Sequence, residues 1–192
     1  MNKESKIFEN LTFQKEVLVR CDLKNREFTD CVFKKCDFSG SDFAGSVFSD
    51  CVFEECNLSN IKAANCGFQD VRFRNSKLLG TEFSTINPLL LKWEFKGCNI
   101  SLCNFGDLDI RKSRFAECEI KDTDFVRSNL SGCIFSDSDL KGSRFQESNL
   151  EKADFTESVN YYIDPTINRL KGARFSQPEV VALLSGFGIE IM

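Results

Sequence analysis

The sequence predicts an all-β solenoid with square coils, and three observations carry that prediction. A mostly large apolar residue recurs at every fifth position, from Phe8, Phe13, Leu18 and Leu23 to Phe83, and again from Phe95, Ile100 and Phe105 to Phe155. The residue two before each of these centres is mostly small, and all ten cysteines occupy that place. Of the twenty phenylalanines, only Phe175 and Phe187 lie outside the series. A period of five fits neither a helix, with about 3.6 residues per turn, nor a strand, with about 2.0. Fixed self-similarity marks a repeat architecture.

A chain that buries one large and one small residue in every five must turn a corner once per five, so four corners close a coil. Coils stacked at strand spacing, roughly 4.8 Å, give about seven turns and a rod on the order of 35 Å long. Each coil then touches mainly its neighbours. In the second half Phe alternates with Leu or Ile. This assigns Phe ladders (95, 115, 135, 155 and 105, 125, 145) to two opposite walls and aliphatic ladders to the other two, a filling that leaves few voids.

Taken in order, the N-terminus (Met-Asn-Lys-Glu-Ser-Lys) has no apolar signal region and no run long enough to span a membrane. The expectation is a cytoplasmic protein with reduced thiols. The centres from Phe8 to Phe83 share one phase. Residues 86–93 break it, because the next centre, Phe95, lies twelve residues after Phe83 instead of ten. This break reads either as a two-residue bulge or as a seven-residue loop. Trp93 stands at the small position, where an indole is not expected to fit. After Ser158 the period stops, and residues 159–165 read as an extended exit. Ser176-Gln-Pro-Glu179 is a capping box opening a short helix to about Ser185, with Gly186 as its stop. Phe187 to Met192 form an apolar, β-prone tail. The expected organisation is a solenoid over 1–158 and a cap over 159–192.

Catalysis and cofactor chemistry find little support. There is no histidine, and no two cysteines lie closer than five residues, so a Cys-x-x-Cys metal pair is absent. Neither a metal nor a cofactor is expected. Asp and Asn recur just before the centres throughout the chain, whereas an active site is a single constellation in a pocket. Binding is the better class. Residues twenty apart stack on one wall, so Asp30, Asp50 and Asp70 should form one outward acidic column, and Glu117, Asp137 and Glu157 another. Like charges about 5 Å apart repel by roughly 1 kcal/mol in water, so stability alone gives no reason to keep them. A solvated face is the plainer reading of the same residues. The net charge of −4 argues against direct nucleic-acid binding. The stretch 61–114 is nevertheless rich in Lys and Arg, so the rod is not uniformly acidic.

Cys36-Asp-Phe-Ser-Gly, Ser41-Asp-Phe-Ala-Gly, Ser128-Asn-Leu-Ser-Gly, Ser138-Asp-Leu-Lys-Gly and Ser148-Asn-Leu-Glu-Lys resemble the repeat of pentapeptide repeat proteins. That resemblance implies a right-handed quadrilateral β-helix. The segment from Asn160 to Leu170, with the Gln-Pro-Glu helix and the Gly-Ile-Glu-Ile tail, is similar to the C-terminus of the microcin-immunity and Qnr-type quinolone-resistance branch. The branch implies a non-enzymatic, DNA-mimicking homodimer. Such a rod binds DNA gyrase or topoisomerase IV and protects it from quinolones or peptide toxins. Here dimerisation would use Val180, Val181, Leu184, Phe187, Ile189 and Ile191. The alternative is a scaffold solenoid that binds an unrelated protein.

Overall fold

A computed structural model of the chain describes residues 5–187 and 189. It is a parallel β-solenoid of about eight turns. Each pentapeptide forms one face of a coil. Face one stacks Ile7–Glu9, Glu27–Thr29, Val47–Ser49 and Gly67–Gln69. Face two stacks Thr12–Gln14, Val32–Lys34, Val52–Glu54, Val71–Arg74, Trp93–Lys96 and Arg114–Ala116. Single bridges carry it through Ile134 to the pair Asp154–Phe155 and Arg174–Phe175, so this sheet runs the length of the rod. Face three contains Lys77–Leu79, Asn99–Ser101 and Glu119–Lys121. Face four is held by single bridges such as Asp22↔Asp42 and Asn104↔Asp124.

The centres point inward. Phe33, Phe53, Phe95 and Phe125 are fully buried. The two expected Phe ladders form. Phe95 stacks on Phe115 at 4.8 Å, Phe105 on Phe125 at 5.1 Å, and the two ladders meet edge to face. The face-two ladder is longer than the alternation suggests. It runs unbroken through Phe13, Phe33, Phe53, Phe73, Phe95, Phe115, Phe135, Phe155 and Phe175, each ring nearly parallel to the next.

Corners are made by the residue two after each centre, which adopts a left-handed conformation: Asn10, Asp30, Asp50, Asn60 and Asp137 all have φ between 52° and 58°. Asn, Asp and Gly tolerate this region best, though the chain also places Lys and Glu there. Gly142 is such a corner. A Cβ on it would lie 2.2 Å from the Asp122 carboxylate oxygen, so the two positions pack as a pair. The Asp and Asn residues before the centres brace the turns. Asp37 accepts from Ser39 N–H at 2.9 Å, Asn104 from Gly106 at 2.8 Å and Asp124 from Val126 at 2.9 Å. These are local Asx bonds, repeated for backbone reasons.

The break near 86–93 is a two-residue insertion. Phe95 pairs with Phe73 and Ile100 with Leu78, so the ladders resume two residues late without losing their walls. Trp93 fits, contrary to expectation, and is 2% exposed. Leu89 and Leu90 lie outside the rod, so this coil lacks one large inward side chain. The indole takes that space, packed on Phe68, Phe83, Phe95 and Phe105.

The C-terminal segment also departs from expectation. Residues 159–175 are not an exit but a further coil, bridging Asp139↔Val159, Arg144↔Tyr162 and Asn149↔Arg169 before Phe175 stacks on Phe155. Its step into the fourth face is two residues short and the step out is two residues long, which hides the period. Tyr161 and Ile163 fill the interior. The helix is 3₁₀, over Glu179–Phe187, and passes Gly186. Among the described residues no bond from Ser176 Oγ to the helix start forms a capping box. The Ser176 hydroxyl instead accepts from Glu157 N–H at 2.6 Å, tying the cap to the coil below.

Candidate partner-binding surface

The interior is chemically quiet. At the small position, thiols and hydroxyls donate to the inward-facing carbonyl of the coil before. Cys51 Sγ reaches Phe28 O at 3.4 Å, Ser128 Oγ reaches Phe105 O at 2.7 Å and Cys133 Sγ reaches Ile110 O at 3.1 Å. Serines here also accept, as Ser46 does from Arg26 N–H at 3.0 Å. This explains why Cys, Ser and Thr interchange at one position, a rule that side-chain size alone does not reveal. The thiols are free, and all but Cys21 are buried. Burial pushes Cys103 up to about 11 and Cys51 and Cys133 up to about 12, which keeps them neutral and unreactive. No three His, Cys, Asp or Glu among the described residues are placed to hold a metal.

The outer surface holds the candidate residues. Asp30, Asp50 and Asp70 stack at the corner between faces one and two. Glu117, Asp137 and Glu157 stack at the corner between faces two and three. The two-residue insertion decides their relation: they lie on adjacent corners that edge the same sheet, one in each half of the rod. All six have φ between 49° and 58°. The left-handed corner alone therefore favours aspartate over most residues, while the two glutamates gain no such advantage.

Asp70 is tied to Lys92 at 3.1 Å and Glu117 to Lys96 at 3.1 Å. Asp30, Asp50, Asp137 and Glu157 have no ion-pair partner among the described residues. Between the columns lie Arg72, Arg74, Lys96 and Arg114, so the middle of this face is basic. The inserted segment adds an apolar element. Leu90 and Leu91 flank an open cleft of about 420 Å³ beside Asp50, Asp70 and Gln69.

Of the residues read as a dimerisation segment, Val181, Leu184, Phe187 and Ile189 are exposed and Val180 is half-buried. Ile191 lies outside the described residues. No described helix is long and apolar enough to cross a membrane.

Residues 26–105 and 86–155 match the family model described as the pentapeptide repeat region. HetL, a pentapeptide repeat protein involved in heterocyst differentiation regulation from the cyanobacterium Nostoc sp. strain PCC 7120, is similar in structure. Its TM-score is 0.67 at 17% identity, covering 88% of this chain and 74% of that one. A trypsin-treated form of QnrB1, a plasmid-mediated fluoroquinolone resistance protein, is similar with a TM-score of 0.59 at 20% identity, covering 97% of both chains. At these identities the likeness is one of fold. No curated protein matches the sequence.

Proposed function

The chain belongs to the pentapeptide repeat family, and from that premise we propose that it is a non-enzymatic binding rod whose acidic corner columns engage a type II topoisomerase, gyrase or topoisomerase IV. In this reading it is a cytoplasmic homodimer, joined through its C-terminal segment, that modulates the enzyme or protects it from a quinolone or peptide toxin.

The observation that carries this reading is the stack Glu117, Asp137 and Glu157. Three exposed carboxylates stack at one corner of successive coils with only Glu117 paired, to Lys96, and two of them are glutamates for which the backbone offers no reason. The resemblance of the C-terminal segment to the Qnr-type branch supports the choice of partner. QnrB1 is itself a fluoroquinolone resistance protein. The columns are a sparse imitation of DNA, which carries a charge every ~1.7 Å, and the basic middle of face two limits the mimicry to the two halves of the rod.

The test is a supercoiling assay with bacterial gyrase, titrating the protein with and without a fluoroquinolone. Inhibition at high protein, or recovery of supercoiling under drug, supports the reading. No effect in either arm turns attention to a scaffold that binds an unrelated protein. The exposed Leu89 and Leu90 of the inserted segment favour that second reading.

A further inference from the structure

Both corners that edge the long sheet of face two change sign along the rod. On one edge Asp30, Asp50 and Asp70 give way to Lys92, Lys112 and Lys152. On the other, Lys15 and Lys35 give way to Glu117, Asp137 and Glu157, with Glu55 out of pattern. On the first edge the change falls between Val71–Arg74 and Trp93–Lys96, at the insertion, and on the second it falls between Lys35 and Glu55. Most of these charges are idle within the chain. Asp30, Asp50, Lys112, Lys152, Lys15, Asp137 and Glu157 have no ion-pair partner among the described residues. Half-buried Val32, Val52 and Ile134 lie between the columns.

We infer that this sheet is a self-association surface and that its occupant is a second copy of the chain, lying antiparallel. A two-fold axis between the strands Val71–Arg74 and Trp93–Lys96 lays each corner column against itself in reverse. Asp50, Asp70, Asp137 and Glu157 then meet bases of their own edge, while Asp30 meets the partner's Gly132 and Lys152 the partner's Asn10. Asp50 faces the partner's Lys112, Asp70 the partner's Lys92, Lys15 the partner's Glu157 and Lys35 the partner's Asp137. Arg72 meets the partner's Glu94, and Val32 the partner's Ile134. Two like-charge meetings oppose this, Glu55 with the partner's Glu117 and Arg74 with the partner's Lys96. The parallel arrangement has the like-charge meetings Arg72 with the partner's Arg74 and Asp50 with the partner's Glu55, and one opposite-charge meeting fewer; Asp50 and Lys112 oppose each other only in the antiparallel one, which makes that pair the test. In an isologous contact every pair counts twice.

The sheet is about 40 Å long at ~4.8 Å per coil and only a few residues wide. It buries on the order of 500 Å² per copy, at the lower end for specific association. The dimer is therefore weak and salt-sensitive. It occupies the acids proposed for a topoisomerase, so the two partners exclude each other and self-association would hold the rod in reserve. It is also separate from association through the C-terminal segment, which is apolar.

The experiment is sedimentation equilibrium of the full chain at about 0.05 M and about 0.5 M salt. The comparison is the unaltered chain with Asp50→Lys, Lys112→Asp and the double variant. Lys and Asp already occupy equivalent corners at Lys35 and Asp137, so the variants keep the backbone, which circular dichroism checks. The expected result is an association step, beyond any dimer joined through the C-terminal segment, whose dissociation constant rises about tenfold with salt and about tenfold in each single variant. The double variant should return to within about twofold of the original. An association step indifferent to both reversals, a double variant as weak as the singles combined, or no salt-sensitive association step at low salt overturns the inference. No topoisomerase enters this assay, so its outcome and that of the supercoiling assay are independent.

Discussion

The indole Nε1 of Trp93 donates to the backbone carbonyl of Phe68 at 2.8 Å. Cys98 Sγ makes the equivalent contact with Phe73 O at 3.4 Å, five residues on in both chain segments. The largest side chain in the repeat thus performs the same service as a small thiol, because the insertion removes one inward residue and opens room for it. Trp93 is a working member of the repeat.

That bond predicts a graded response. Trp93→Phe keeps most of the volume but leaves the Phe68 carbonyl buried without its donor, at a cost of about 1–3 kcal/mol. Trp93→Ala adds a cavity beside four aromatic rings and costs about 3–5 kcal/mol. Urea denaturation midpoints measure both. Equal loss in the two variants would mean that the hydrogen bond contributes nothing beyond packing.

The small position predicts which substitutions it accepts. Cys98→Ser retains a donor to Phe73 O and should change stability by less than about 1 kcal/mol, whereas Cys98→Ala loses the donor and leaves a small void, costing about 1–2 kcal/mol. Thermal melts of the two variants separate donor chemistry from size. A serine variant less stable than the alanine one would contradict the carbonyl-donor role.

Buried thiols set the alkaline limit. With Cys51 and Cys133 held up to about 12 and Cys103 up to about 11 by burial, the folded chain keeps protons that the unfolded chain releases above 9.0. The unfolded state then binds fewer protons, so stability falls as pH rises, by up to about 1.4 kcal/mol per pH unit for each thiol. The acid limb has the opposite sign. The hydrogen bond from Arg111 holds the Asp109 carboxyl below 3.8, and the stability it adds is present above that value and lost below it. The chain has no histidine to titrate between them. Urea midpoints from about pH 5 to about pH 10.5 should show a plateau followed by a fall beginning near pH 9. An unchanged midpoint at the alkaline end would count against protonated thiols in the folded core.

The acidic columns make a prediction about binding alone. Reversing Glu117, Asp137 and Glu157 to Lys should abolish capture of a type II topoisomerase while circular dichroism stays unchanged, since Lys15, Lys35 and Lys152 occupy the same kind of corner. Reversing Asp30, Asp50 and Asp70 in parallel tells which edge of the sheet matters. Undiminished binding in both variants would remove the columns from the site.

The five-residue period determined most of the architecture by itself. Which residues face inward, which walls carry the Phe ladders and where the cysteines lie all follow from a periodicity that is local and repeated. The coil over 159–175 is masked in the sequence because one step is short and the next long, although Leu170 and Phe175 keep the phase. Three matters belonged to the tertiary structure. Corner conformation shows that aspartate at Asp30, Asp50 and Asp70 has a backbone reason to be there. The register across the insertion, visible only once Phe95 is paired with Phe73, sets the two acidic columns on either edge of one sheet. The space vacated by Leu89 and Leu90 admits Trp93. Each depends on which coil lies against which, a relation between residues about twenty apart that composition at one position does not encode.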